Sequence, residues 1–362
     1  FCHGFSLLFF SMNDKLNFDE IAKNIKSWAK DFGFNDVGIS DVKLAKNKLS
    51  YKKWISSGYH GHMGYLDRHQ EQKFDPSKLL PNTQSVISVR LDYLPLEAKA
   101  LEALKNKNIA YISRYALGRD YHKVIRAKLK KLVAQIESNL DKEFHFRLFT
   151  DSAPVLEVDI AEKAGLGWRG KHTLLLNKEH GSWFFLGEIY TDLPLPSDKS
   201  TSKHCGSCTA CIDICPTSAI IAPYKLDARK CISYLTIEHR ESIPIEYRKA
   251  IGNRVYGCDD CQFVCPWNKY AKITSENDFL VRHDLDKLSL IESFKLSRKD
   301  FDKLFQGSAI YRIGYDQWLR NIAVGLGNAP KSEEIIKVLK SRLDSASSML
   351  KEHILWAIEQ HK

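Results

Sequence analysis

Two cysteine runs constrain this chain more than any other feature. The first reads Cys205-Gly-Ser-Cys208-Thr-Ala-Cys211-Ile-Asp-Ile-Cys215-Pro216, and the second Cys258-Asp-Asp-Cys261-Gln-Phe-Val-Cys265-Pro266. The first has the spacing C-x2-C-x2-C-x3-C-P, which holds [4Fe–4S] cubanes. Three cysteines at that spacing wrap one cluster, and the fourth, beside proline, ligates the other. The second run is one cysteine short, because Val255 stands where a first ligand would be. Cys231 lies between the runs and can supply the missing thiolate. The chain has 9 cysteines, and setting Cys2 aside leaves enough for two four-thiolate clusters. The crossed pattern assigns Cys205, Cys208, Cys211 and Cys265 to a first cluster. It assigns Cys215, Cys231, Cys258 and Cys261 to a second. Structural zinc favours paired C-x2-C hooks, and disulfides suit small secreted domains; neither matches this pattern.

A chain of 362 residues has room for two or three domains. Hydrophobic residues make up 44% and charged residues 27%, enough for a sizeable core. No apolar run has the length of a membrane span, so no membrane attachment is expected. The formal charge is +10. Two clusters at about −2 each leave the loaded protein basic, at about +6. A basic surface points to a polyanion, first of all a nucleic acid, with ordinary solubility charge as the alternative. The opening FCHGFSLLFFS lacks the basic region and cleavage site of a signal peptide. Residues 1–11 are expected to be an extension foreign to the fold, with Cys2 inert and Met12 the natural start. Oxygen-sensitive clusters without an export signal place the chain in the cytoplasm.

Residues 19–32 have helical periodicity, and residues 36–40 and 85–90 read as strands. Between Lys105 and Lys131 nine Lys or Arg stand against one acid, Asp120, with Tyr111, Tyr115 and Tyr121 interleaved. Cations with aromatics suit phosphate contact and base stacking. The helix in this stretch has Tyr121, Ile125, Leu129, Leu132, Val133 and Ile136 on one face, so its cations lie on the solvated face. A strand over 143–150 delivers Thr150-Asp-Ser-Ala-Pro-Val-Leu-Glu157, where Asp151 can act as a helix N-cap. Gly165-Leu-Gly167-Trp-Arg-Gly170 is a literal G-x-G-x-x-G, but it follows a helix and precedes a strand. That order is the reverse of a dinucleotide site, and Gly165 reads as a helix C-cap. A strand is expected over 173–177 and another over 182–191. Helices are expected over 292–305, 316–326, 332–343 and 347–360. A thirty-two-residue offset between Ile322-Ala-Val-Gly-Leu326 and Ile354-Leu-Trp-Ala-Ile358 suggests stacked helical pairs. His60, His62, His122 and His172 read as ordinary surface or loop histidines.

These residues leave three hypotheses open. The clusters serve an enzyme whose N-terminal half holds what they reduce, or a non-enzymatic electron carrier, or a nucleic-acid-binding protein with structural clusters. The 190 or so residues before the first run favour the enzyme.

Several motifs resemble the epoxyqueuosine reductase family jointly. They are His60-Gly-His-Met-Gly-Tyr-Leu66, Arg114-Tyr-Ala-Leu-Gly-Arg-Asp-Tyr-His122, Asp151-Ser-Ala-Pro-Val-Leu-Glu157, Ala164-Gly-Leu-Gly-Trp-Arg-Gly-Lys-His-Thr-Leu-Leu175, both cysteine runs, Leu319-Arg-Asn-Ile-Ala-Val-Gly-Leu-Gly-Asn328 and His353-Ile-Leu-Trp-Ala-Ile358. The resemblance implies reduction of epoxyqueuosine to queuosine at the tRNA wobble position, the last step of queuosine synthesis. It also implies cobalamin, two [4Fe–4S] clusters, HEAT-like C-terminal helices and kinship with corrinoid reductive dehalogenases. It implies that Asp151 donates the proton, with its pKa raised by burial beside the corrin. The D-x-H-x-x-G motif of some corrinoid proteins is absent. Asp151, and Lys171, His172 and Leu175 at the glycine-rich turn, are the expected cobalamin contacts.

The expected fold is α+β. Residues 12–195 form an α/β cobalamin domain, 196–272 a ferredoxin-like double-cluster domain, and 273–362 a HEAT-like helical domain. The expected partners are a tRNA anticodon stem-loop and a low-potential donor such as flavodoxin or ferredoxin, with the chain a monomer. The alternative function is a corrinoid iron–sulfur reductase of another substrate.

Overall fold

A computed structural model describes residues 16–44, 47–96, 99–151 and 153–362. The expectations for residues 1–11, Met12 and Cys2 lie outside these residues. Helix α1 (Phe18–Asp31) is capped by the Asn17 side chain, which accepts from the Glu20 N–H, and it buries Ala22, Ile25 and Ala29. It leads into strand β1 (Asp36–Asp41), which pairs antiparallel with β2 (Ser85–Asp92).

A short strand, β3 (Tyr111–Ile112), precedes helix α2 (Tyr121–Glu137). Then follow β4 (Phe146–Phe149), helix α3 (Glu157–Lys163), β5 (Trp168–Arg169), β6 (Leu175–Leu176) and β7 (Phe184–Thr191). The main sheet has the order β1-β2-β7-β4, and every pairing in it is antiparallel. The first part of the chain is therefore an antiparallel sheet with helices on both faces, not a run of parallel βαβ units. The strand expected over 173–177 shrinks to β6, which pairs only with β5.

Alternation along the strands separates the two faces. Ile39, Ile87, Val89 and Ile189 share a core with Ile25 of α1 and Ile125, Leu129, Leu132 and Ile136 of α2. The register sets Ser88 opposite Glu188 and Glu188 opposite Phe149 on the other face. That face is covered by α3, with Ile160 packed against Val86, Phe149 and Tyr190. Glu188 and Ser88 are wholly buried there.

The cluster segment carries one short helix within each cysteine run. These are α4 (Ala210–Asp213) and α6 (Asp260–Phe263), with α5 (Ile232–Ile237) starting beside Cys231. Strand β8 (Arg254–Tyr256) pairs in parallel with β3, so the second run is stitched to residues 111–112. The Asp259 carboxylate accepts from the Tyr111 hydroxyl (2.7 Å), the Ser113 hydroxyl and the Arg114 N–H (2.9 Å). Arg254 donates twice to Asp260, at 2.6 and 2.7 Å.

The C-terminal part is helical. Residues 292–305, expected as one helix, form α7 (Leu290–Lys295) and α8 (Arg298–Phe305). The break falls at Ser297, whose hydroxyl and Asp300 form a capping box that starts a new helix. Helices α9 (Tyr315–Asn328), α10 (Glu333–Lys340) and α11 (Ser348–Gln360) follow. Ala110, Ile112, Ala116 and Leu117 pack into this helical core beside Val255 and Leu290, although they precede the expected boundary at 195.

Candidate active site and cluster cavity

Asp151 leaves β4 with a left-handed backbone, φ 55°. It does not cap a helix, because α3 begins only at Glu157, with Leu156 at the cap position. Instead the Asp151 carboxylate accepts from the Tyr121 hydroxyl and lies 3.3 Å from His122 Nε2. The other ring nitrogen of His122 is 2.7 Å from Asp120 Oδ1. The Tyr121 ring stacks on Phe185, 4.1 Å between centroids, and on His122 at 4.0 Å. Arg312, from the C-terminal part, lies 2.7 Å from His122 Nε2. His122 is thus a part-buried, doubly bonded side chain, not the loop histidine that was expected.

Burial raises the pKa of Asp151, but hydrogen bonds from His122 and Tyr121, with the charges of His122 and Arg312, hold it below the ordinary 3.8. The raised value expected for Asp151 is reversed here, because the fold brings two cations that are distant in sequence. Burial lowers the pKa of His122, yet its bonds to Asp120 and Asp151 raise it above 6.5. Both shifts favour the charged forms of the pair. The Asp151 side chain stays 58% exposed, so it can meet a ligand. Its charge also raises the pKa of Tyr65 and Glu238, after the larger effects of burial at both and of Glu238 on Tyr65. Three separate parts of the chain meet at this carboxylate.

Beneath the loop lie two more carboxyls. The Asp151 N–H donates to Glu157. Burial, then the Asp151 charge, pushes Glu157 up to about 7. Burial, then Glu157, pushes Glu188 well above the carboxylate range, and neither Glu188 oxygen has a hydrogen-bond partner. Two such groups together keep at least one proton.

Cys205, Cys208, Cys211 and Cys265 line one cavity of about 250 Å³. Burial and the other three thiols push Cys211 up to about 11. Among the described residues no three His, Cys, Asp or Glu side chains converge closely enough to hold a single metal ion. The four thiols thus surround a space, which suits a cubane better than zinc. Cys231 and Cys215 are charge neighbours of Cys261, and Cys258 Sγ lies 2.7 Å from Asp260 Oδ2.

A family model described as "4Fe-4S double cluster binding domain" matches residues 204–268. Another, "Epoxyqueuosine reductase QueG, DUF1730", matches residues 73–152. An epoxyqueuosine reductase from Pseudomonas aeruginosa is 51% identical over 342 residues, covering 94% of each chain. The chain belongs to the epoxyqueuosine reductase family. A solved epoxyqueuosine reductase, in complex with an epoxyqueuosine-modified tRNA-Tyr stem loop, superposes with TM-score 0.82 and 26% identity, covering 94% of this chain and 99% of that one. The Bacillus subtilis epoxyqueuosine reductase has been solved with its catalytic aspartate loop swung out of the active site; it gives TM-score 0.81 and 26% identity over 95% and 99% of the two chains.

In this member of the epoxyqueuosine reductase family, the other expected contact residues lie at the cluster cavity or in the core. Lys171 Nζ donates to the carbonyls of Gly206 (2.7 Å) and Cys208 (2.8 Å). His172 is buried and lines the cysteine cavity, against the expectation of a surface position. Leu175 is buried with Ala161, Leu166 and Phe184. Gly165 ends α3 at φ 82°, as a C-cap glycine does, and a Cβ at Gly167 would lie 2.1 Å from the Leu176 carbonyl oxygen. The glycine run therefore serves the packing of β5 against β6. Tyr121, Arg312, Glu157 and Glu188 were not foreseen as site residues. A charged residue within the apolar strand 182–191 was the one visible signal for Glu188.

Proposed function

We propose that this chain reduces epoxyqueuosine to queuosine at the wobble position of tRNA, the last step of queuosine biosynthesis. The observation that carries the reading is the exposed Asp151 carboxylate paired with His122, in a chain of this family. Removing the epoxide oxygen as water takes two electrons and two protons. Two [4Fe–4S] clusters deliver electrons singly, so their ligand sets would be Cys205, Cys208, Cys211, Cys265 and Cys215, Cys231, Cys258, Cys261.

Bound cobalamin would supply low-valent cobalt to attack or coordinate the epoxide carbon. The residues at Asp151 fit such a cofactor. The Asp151 side chain is 58% exposed, and His122 commits its ring nitrogens to Asp120, Asp151 and Arg312, so it serves as a proton holder and not as a metal ligand. The turn at Lys171, His172 and Leu175 would meet the cofactor through its backbone and through Leu174, which is exposed.

Asp151 is the proton donor in this reading. The proton starts on His122 and passes through the Asp151 carboxylate, which takes it from the ring and delivers it to the opening oxygen. Tyr121 orients the carboxylate, and Glu157 holds the loop through the Asp151 N–H. Lys123, Arg126, Lys130 and Lys131 on the exposed face of α2 would contact the anticodon stem-loop. The interleaved tyrosines do not stack on bases: Tyr111 is buried on Asp259, and Tyr121 is sandwiched between Phe185 and His122. Residues 12–195, 196–272 and 273–362 act as cofactor, cluster and HEAT-like parts of a cytoplasmic monomer, fed by a flavodoxin or ferredoxin. Among the described residues no helix is long and apolar enough to cross a membrane.

The test is anaerobic. The reconstituted protein, a strong reductant and tRNA carrying epoxyqueuosine are incubated with and without cobalamin, and the nucleosides are weighed. Queuosine formed only with cobalamin supports the reading. No conversion by a protein with intact, reducible clusters would sink it.

A further inference from the structure

Beside the cavity of Cys205, Cys208, Cys211 and Cys265, two buried N–H donors have no partner among the described residues. The first is on His172. Its Nδ1 accepts from the Leu174 N–H at 3.2 Å. In the neutral ring the proton therefore rests on Nε2. Nε2 is buried and has no hydrogen-bond partner, and the ring is 4% exposed and lines the cavity. The second donor is the indole N–H of Trp168, which is also unpartnered, in a side chain 1% exposed. Trp168 packs in one cluster with Leu176, Cys265, Cys205 and Trp267. Leaving a buried donor unpaired costs about 1–3 kcal/mol. His172 lines the cavity and Trp168 packs on two of its cysteines, and the group that four thiolates would hold there is rich in sulfur acceptors.

We propose that His172 Nε2–H and Trp168 Nε1–H donate N–H···S hydrogen bonds to the first cluster and set its reduction potential above that of the second. A hydrogen bond to sulfur withdraws negative charge from the cluster and favours its reduced state. Lys171 acts in the same sense, with its ammonium held on the Gly206 and Cys208 carbonyls of the same loop. Beside the second set, Asp260 lies against Cys258 but is paired with Arg254, so those charges offset each other. Electrons delivered singly therefore come to rest on the first cluster.

The inference relies on the double-cluster reading and the crossed ligand set. It is tested on the full-length, reconstituted protein by redox titration followed by EPR, and by pulsed EPR on protein labelled with 15N at histidine or tryptophan. The expected result is exchangeable N–H protons and 15N couplings from both residues on the higher-potential cluster. His172→Phe should shift that midpoint to lower potential and leave the other unchanged, and Trp168→Phe should do the same. A variant that fails to load does not leave the matter open, because the labelled wild-type protein carries its own readout. A fully loaded protein without 15N coupling, or with unmoved midpoints in both variants, would overturn the hydrogen bonds alone. An iron content below two clusters per chain would overturn the cluster reading instead.

Discussion

Asp151 and His122 share one charge state, and each sets the other's pH range. Asp151 is depressed below 3.8, so its stabilising contribution is complete above that value and is lost as pH falls through its folded pKa. His122 is raised above 6.5, so its contribution is complete below that value and is lost as pH rises through its folded pKa. The pair is fully formed between the two values. If the imidazolium refills Asp151, turnover falls as pH climbs past the raised pKa of His122. His122→Gln should move that descending limb of kcat to lower pH, since Asp151 alone gives up its proton earlier. An unmoved limb would show that the proton is stored elsewhere. Asp151→Asn should lower kcat by about 10²–10⁴-fold, with iron content and cobalamin binding unchanged. Wild-type turnover in that variant would remove Asp151 from the chemistry.

At the scale of elements, the second cysteine run is one thiol short and has Cys231 as a neighbour from outside it. Cys231 opens α5, and burial and the charge of Cys231 head the causes that raise Cys261. Cys231→Ala should lose about half the iron, and the remaining EPR signal should be that of the first cluster. Unchanged iron would break the ligand set. Helix α2 serves two roles on its two faces. Its apolar stripe closes the sheet, while Lys123, Arg126, Lys130 and Lys131 stay exposed and Lys128 is taken up by Glu276 at 2.6 Å. Replacing Lys123 and Arg126 by Gln should weaken stem-loop binding and reduce the slope of log K against log salt by about 1–2. A mutant with the wild-type slope would clear this face of phosphate contact.

On the scale of the whole molecule, α9 joins the C-terminal part to the cluster segment. Arg320 is wholly buried and donates to the carbonyls of Leu235, His239 and Glu241 at 2.6–2.8 Å. Asn321 donates to the carbonyls of Thr236 and Val255, and Asn328 to those of Arg248 and Gly252. This explains Leu319–Asn328 physically: its polar residues satisfy the irregular backbone around the second set of cysteines. Arg320→Met strands two buried carbonyls, of Leu235 and His239, and should cost about 2 kcal/mol or more, with early loss of the second cluster on denaturation. Denaturation at the wild-type midpoint, with both clusters leaving together, would contradict it.

The cysteine spacing, the apolar stripe of α2 and the strands around 36–40, 85–90 and 182–191 were legible in the sequence, because each is a short-range pattern that the backbone period imposes. Asp151 was legible as a residue of interest but not as an ion-pair partner. Its partners come from positions 121, 122, 157 and 312, and no local period relates these. The cluster cavity followed the same division. The expected ligand cysteines could be read from spacing, whereas the placement of His172 and Trp168 beside them depends on how the chain around β5 and β6 folds against the first run. What the tertiary structure alone decided was charge state and partner, since both depend on which distant groups are brought together and how far water is excluded from them.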